Sequence, residues 1–122
     1  MAFVEVKTIV SSDVDLDTFL LPNSGDFGIW LELEIGEQGG KSADIFQLFV
    51  CTPGWLRKKI LDDGPVWQHG IMILDGPDLS NIVGHVNKAL ARLGDAEWNV
   101  TVKKLRLLAK WEFEDYQPHR VE

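Results

Sequence analysis

Apolar and polar positions alternate with period two over residues 2–10 and, more cleanly, over residues 27–36. In the first stretch, Phe3, Glu5, Lys7 and Ile9 alternate with Val4, Val6 and Thr8, as in a strand. In the second, Phe27, Ile29, Leu31, Leu33 and Ile35 share one face, and Trp30, Glu32 and Glu34 share the other. A third strand is expected over residues 43–51. It sets Phe46, Leu48 and Val50 against Ile45, Gln47, Phe49 and Cys51. The short "GEQGGK" segment between the last two predicts an antiparallel hairpin. Residues 11–26, punctuated by Pro22, Asn23, Ser24 and Gly25, read as a connection.

The period changes after Cys51. Thr52 as cap and Pro53 in the first turn predict a short helix over about residues 53–62, burying Trp55, Leu56, the Lys59 stem and Ile60. Asp63-Gly64-Pro65 ends it. "VWQHGIMIL" reads as a hairpin-type strand closed by Asp75-Gly76-Pro77. A helix capped by Asp78 follows, with Leu79, Ile82, Val83, Val86, Ala89, Leu90 and Leu93 at helical spacing and Gly94 as its stop. Asp95 opens a last helix through Trp98, Val102, Leu105, Leu108 and Ala109. The alternation of Trp98, Val100 and Val102 leaves a strand open at its start. This order predicts an α+β fold, an antiparallel sheet of about four strands with two to three helices packed on one face. No repeat or linker interrupts the 122 residues, so one domain over 1–122 is expected.

Composition narrows the class. Five Trp and six Phe among 45% hydrophobic residues describe a globular domain. No stretch approaches the ~20 apolar residues of a membrane helix. Glu5 and Lys7 interrupt the first apolar run, so no secretory signal is read there, and the expected location is the cytoplasm. The net charge of −7 disfavours nucleic acid and anionic membranes as partners and favours basic proteins, although many acidic domains use such charge only for solubility.

The search for chemistry returns little. Cys51, the single cysteine, stands between a strand and a helix start, where a helix N-terminus lowers a thiol pKa. It ends an apolar strand, however, and His69, His85 and His119 form no catalytic context with it, so a buried structural thiol is expected. The three His and one Cys lack metal-site spacing. "DVDLD" at 13–17 opens like a calcium loop, but Thr18 and Ser24 stand where Gly and Glu belong. Asp13, Asp15 and Asp17 therefore read as a solvated loop. "GEQGGK" lacks phosphate-loop spacing. No enzyme, metal or cofactor is called for.

Acidic and aromatic residues together do stand out. Trp30, Glu32 and Glu34 share the strand face opposite the core, and "KWEFEDY" interleaves Trp111, Phe113 and Tyr116 with Glu112, Glu114 and Asp115. Such mixtures suit an interface with a cationic partner. The plain alternative is that the rings pack on the sheet while the acids face water.

"FGIWLELEIG", "ADIFQLFVCTPGWL" and "KWEFEDYQ" together resemble the Immunity protein 8 family of bacterial polymorphic-toxin systems, from about Phe27 to Gln117. The resemblance implies an intracellular α+β protein that binds and neutralises a cognate toxin and carries no catalytic set. Cys51, Pro53, Trp55, Leu56 and Trp111 then form a structural signature. The candidate toxin-binding residues are Trp30, Glu32, Glu34, Glu112, Glu114, Asp115 and Tyr116. The expected toxin is a nuclease or another enzyme with a basic cleft. Two alternatives stay open: a general interaction or oligomerisation module, with a homodimer among its forms, and a small enzyme using Cys51.

Overall fold

The computed structural model describes residues 4–20, 22–76, 81–93 and 97–112. The fold is α+β, a five-stranded, mostly antiparallel mixed sheet with three helices. In chain order the elements are β1 (Val4–Ser11), β2 (Gly28–Glu37), β3 (Asp44–Cys51), α1 (Pro53–Asp63), β4 (Ile71–Ile73), α2 (Ile82–Leu90), α3 (Trp98–Leu105) and β5 (Lys110–Trp111).

β1, β2 and β3 form an antiparallel meander. The β2–β3 register sets Leu31 opposite Leu48 and Leu33 opposite Phe46, so both apolar sets share one face. On that face Ile82, Val86 and Leu90 of α2 and Val102 and Leu105 of α3 complete the core. Spacings of four along α2 and of three along α3 make these stripes. Residues 97–103, open between helix and strand in the sequence, belong mostly to α3.

β1 departs from simple alternation. A bulge lies between Val6 and Thr8, and Lys7 is its extra residue. The added residue resets the pleat, so Val4, Val6 and Ile9 all pack on the core. The displaced Lys7 Nζ donates to Glu5 (2.7 Å) and to the carbonyls of Glu37 (3.0 Å) and Gly40 (2.7 Å), which ties β1 to the β2–β3 turn.

β3 is the central strand, and its second edge is shared. Near Cys51 it pairs with β4 in parallel, and near Phe46 it pairs with β5 in antiparallel. Gly70 sits at the junction with φ +76, beside Lys110 and Gln47 backbone atoms, and its carbonyl accepts from Phe49 N–H at 2.8 Å. Only glycine adopts that left-handed backbone without strain. The hairpin-type strand expected over residues 66–74 is thus corrected: three residues pair, and they run parallel to β3. The α1 crossover is the reason, because it returns the chain to β3 in the same direction.

Two helix expectations also change. α1 starts at Pro53, as expected, and runs to Asp63, but no residue in it is fully buried and Ile60 is 41% exposed. Its exposed flank is held instead by i, i+4 ion pairs, Lys58–Asp62 and Lys59–Asp63. α3 ends at Leu105 rather than Ala109; turns follow, exposing Leu107 while Ala109 returns to the core. The chain must leave the helix there to reach β3 as β5. The expected caps at Asp78 and Asp95 and the stop at Gly94 lie outside the described residues.

Candidate functional site

Alternation along β2 fixes the outer face of the sheet, the one turned away from α2 and α3. Trp30, Glu32 and Glu34 lie on it, as expected from the sequence. Register brings Phe49 beside Trp30, Gln47 beside Glu32 and Ile45 beside Glu34 on one flank. Val10 and Thr8 stand beside the two glutamates on the other. Glu34, Thr8, Val10 and Gln47 are exposed and Glu32 is half-buried. Among the described residues neither Glu32 nor Glu34 has an ion-pair partner. The middle of this face therefore presents two carboxylates that form no ion pair among the described residues.

An aromatic row borders them. The Trp30 ring meets Phe49 edge-on, with centroids 5.0 Å apart, and Phe49 meets Trp55 at 4.9 Å. Trp55 arrives from α1 and packs over Gly28, so this end of the outer face is covered while the Glu32–Glu34 end is open. The cover explains why Phe49 and Cys51 are buried although they point away from the main core. The Trp30 backbone is held as well: its N–H donates to Asp13 Oδ2 (2.8 Å) and its carbonyl accepts from Ser11 Oγ (2.7 Å). Asp13 thus anchors β2. Asp15 accepts from the Asp17 N–H, closing a turn of that loop.

The "CTPGW" stretch has a place for each residue. Cys51 is 0% exposed and burial pushes its thiol pKa up, opposite to what a nucleophile requires. Thr52, 2% exposed, accepts from the N–H groups of Trp55 (3.4 Å) and Phe27 (3.1 Å) and donates to Asp26 Oδ1 (2.9 Å). It caps α1 and staples it to the start of β2. Pro53 occupies the first turn, where no amide donor is missed. A Cβ at Gly54 would collide with the Asp26 carboxylate, so glycine lets that anion approach the helix start. Leu56 is half-buried beside Trp55.

Trp111 is engaged within the fold. It pairs with Phe46 through β5, packs on the core, and its indole N–H donates to Asp44 Oδ2 at 3.3 Å. Trp98 donates to the same oxygen, and the Arg106 guanidinium lies 5.3 Å from the Trp111 ring centre. Glu112 extends the pairing: its N–H donates to the Ile45 carbonyl (2.8 Å) and its carboxylate accepts from the Ile45 N–H (3.1 Å). That carboxylate is engaged within the fold, unlike those of Glu32 and Glu34. Phe113, Glu114, Asp115 and Tyr116 lie outside the described residues.

Sequence reasoning passes over Asp26 and Asp44. The two aspartates announce themselves by no motif, because their partners are distant in the chain. Trp67, expected within a strand, is 99% exposed in the loop before β4. Among the described residues no group of three His, Cys, Asp or Glu could hold a metal, and no helix is long and apolar enough to cross a membrane. The outer face thus joins two glutamates to an aromatic row at one end.

The family described as Immunity protein 8 matches residues 4–116 of the chain. No curated protein and no solved structure matches it.

Proposed function

The chain belongs to the Immunity protein 8 family, and on that premise we propose that it binds its cognate toxin through the outer sheet face around Trp30, Glu32 and Glu34. Family membership implies toxin neutralisation; the contact surface and the kind of toxin are the proposal. One observation carries it: the two carboxylates that have no ion-pair partner among the described residues, on a strand beside the Trp30 ring. A partner with a basic cleft, such as a nuclease, meets there carboxylates placed like substrate phosphates. The action is stoichiometric, needs no cofactor and takes place in the cytoplasm of the producing cell. Self-association through this face would oppose like charges, so a homodimer built on it is disfavoured.

The test is Glu32→Lys combined with Glu34→Lys, measured for binding to the purified toxin domain. We expect binding to weaken by several kcal/mol while stability stays within about 0.5 kcal/mol of native. Association with the native protein should also slow as ionic strength rises. Unchanged affinity in the charge-reversed protein would place the contact elsewhere.

A further inference from the structure

Hydrogen bonds along β3 fix which way the backbone groups of the meander point. The Phe49 N–H donates to the Gly70 carbonyl and the Ile45 N–H to the Glu112 carboxylate, so these odd-numbered residues turn their peptide groups away from β2. Trp30, Glu32 and Glu34, opposite them in register, therefore turn theirs toward β1. The Trp30 bonds to Ser11 and Asp13 lie on that same side. Glu34 and Glu32 are thus the hydrogen-bonded partners of Thr8 and Val10, and Ile9 between them points its N–H and C=O outward, as Ser11 does. β1 ends the sheet, and among the described residues nothing pairs with this outward edge.

Edge strands are normally blunted by charge, proline or a bulge. The Lys7 bulge does this for the start of β1, but Thr8, Ile9 and Val10 are uncharged and β-branched. An open recess of about 250 Å³ lies beside them, lined by Ile9, Val10 and Ser11 and by the loop from Val14 to Asp17. No β2 residue lines it, which sets it along the free edge. Asp15 and Asp17 at its border are exposed and form no ion pair among the described residues. On the premise that a basic toxin is the partner, we propose that the toxin adds an extended segment to β1, pairing with the Ile9 and Ser11 peptide groups and setting a lysine or arginine on Asp15 and Asp17. Backbone bonds then supply attachment and alternate side chains supply specificity. The added segment lies next to Thr8 and Val10, the neighbours of Glu34 and Glu32, so it continues the acidic outer face. A second copy of this chain is the poorer occupant. It brings its own carboxylates, and Lys7, the one cation of β1, is engaged with Glu5, Glu37 and Gly40.

Amide hydrogen exchange of the ¹⁵N-labelled full chain, alone and with the purified toxin domain, is the test. Alone, the Ile9 amide should exchange fast while those of Thr8 and Val10 stay protected. In the complex, Ile9 and Ser11 should slow by roughly tenfold or more, as amides do on gaining a strand partner. Asp15→Lys with Asp17→Lys should melt as the native chain does and bind the toxin domain roughly tenfold more weakly. A complex that forms with Ile9 exchange unchanged overturns strand addition and leaves toxin binding through the outer face standing. Ile9 protection together with full affinity in the Glu32→Lys, Glu34→Lys protein does the reverse, keeping the added strand and sinking the outer-face contact. Slow Ile9 exchange in the free chain would show the edge already covered and would overturn the proposal, as would full affinity in the Asp15, Asp17 variant. A toxin domain that forms no complex sinks both.

Discussion

The Trp55 indole fills the space that a side chain at residue 28 would need: a Cβ on Gly28 would stand 2.5 Å from the ring. Phe49 closes the same space from the neighbouring strand, 2.8 Å from that Cβ position. Gly28→Ala is therefore expected to push both rings aside and lower stability by about 1–3 kcal/mol, as overpacking does. Urea denaturation followed by tryptophan fluorescence measures the loss. A native midpoint with shifted emission would show that Trp55 is free to swing away.

Thr52 joins the start of β2 to the start of α1 through a single oxygen. Thr52→Val keeps the shape and removes the hydroxyl, leaving the Phe27 N–H unanswered and α1 uncapped. A loss of about 2–4 kcal/mol is expected from the two effects together. Thr52→Ser should retain most of the stability. Paired unfolding curves for the two variants test this, and equal losses would show that the methyl packing contributes as much as the hydroxyl.

Cys51 should behave as an inert thiol. Iodoacetamide is expected to label the native protein slowly and the urea-unfolded protein fast, and Cys51→Ala should still neutralise the toxin. Because burial raises the folded thiol pKa, its contribution to stability is whole below the ordinary thiol value of 9.0 and fades as pH climbs above it. Cys51→Ala should lack that alkaline loss. Rapid native labelling at neutral pH, together with lost protection in the variant, would restore the enzyme reading.

Trp111→Ala tests the opposite role to the charge reversal on β2. Removing the ring deletes the Asp44 hydrogen bond, the Arg106 contact and packing on the core. A loss of about 3 kcal/mol in stability is expected, with toxin affinity preserved in the fraction that remains folded. Calorimetry and binding on the same sample separate the two quantities. Normal melting with weak binding would move the toxin contact to the β5 side.

Which parts of this were legible in the sequence follows from how local each signal is. β2 and β3 were, because each carries an uninterrupted period of two and a short Gly-containing loop joins them. The outward direction of Trp30, Glu32 and Glu34 followed from the same period. The Lys7 bulge was not, since an inserted residue looks like any other until its partner strand is known. The parallel sense of β4 was equally hidden, because three apolar residues carry no direction. α1 misled through Ile60, whose helical spacing suggested burial that no neighbouring element supplies. Asp26 and Asp44 act on partners 26 and 67 positions away, beyond the reach of any local pattern.

The shared edge of β3 also sets an order of assembly. β1, β2 and β3 meet through connections short enough to close early and cheaply. The Ile45–Glu112 pairing spans 67 positions, so β5 can dock only after the helices have brought the chain back. Until then the Ile45–Gln47 stretch of the central strand lacks its β5 partner, a template on which a second unfinished chain could add itself. A two-residue strand with Trp111 as its anchor ends that exposure, and the last piece of the sheet to arrive is the one that keeps unfinished molecules apart.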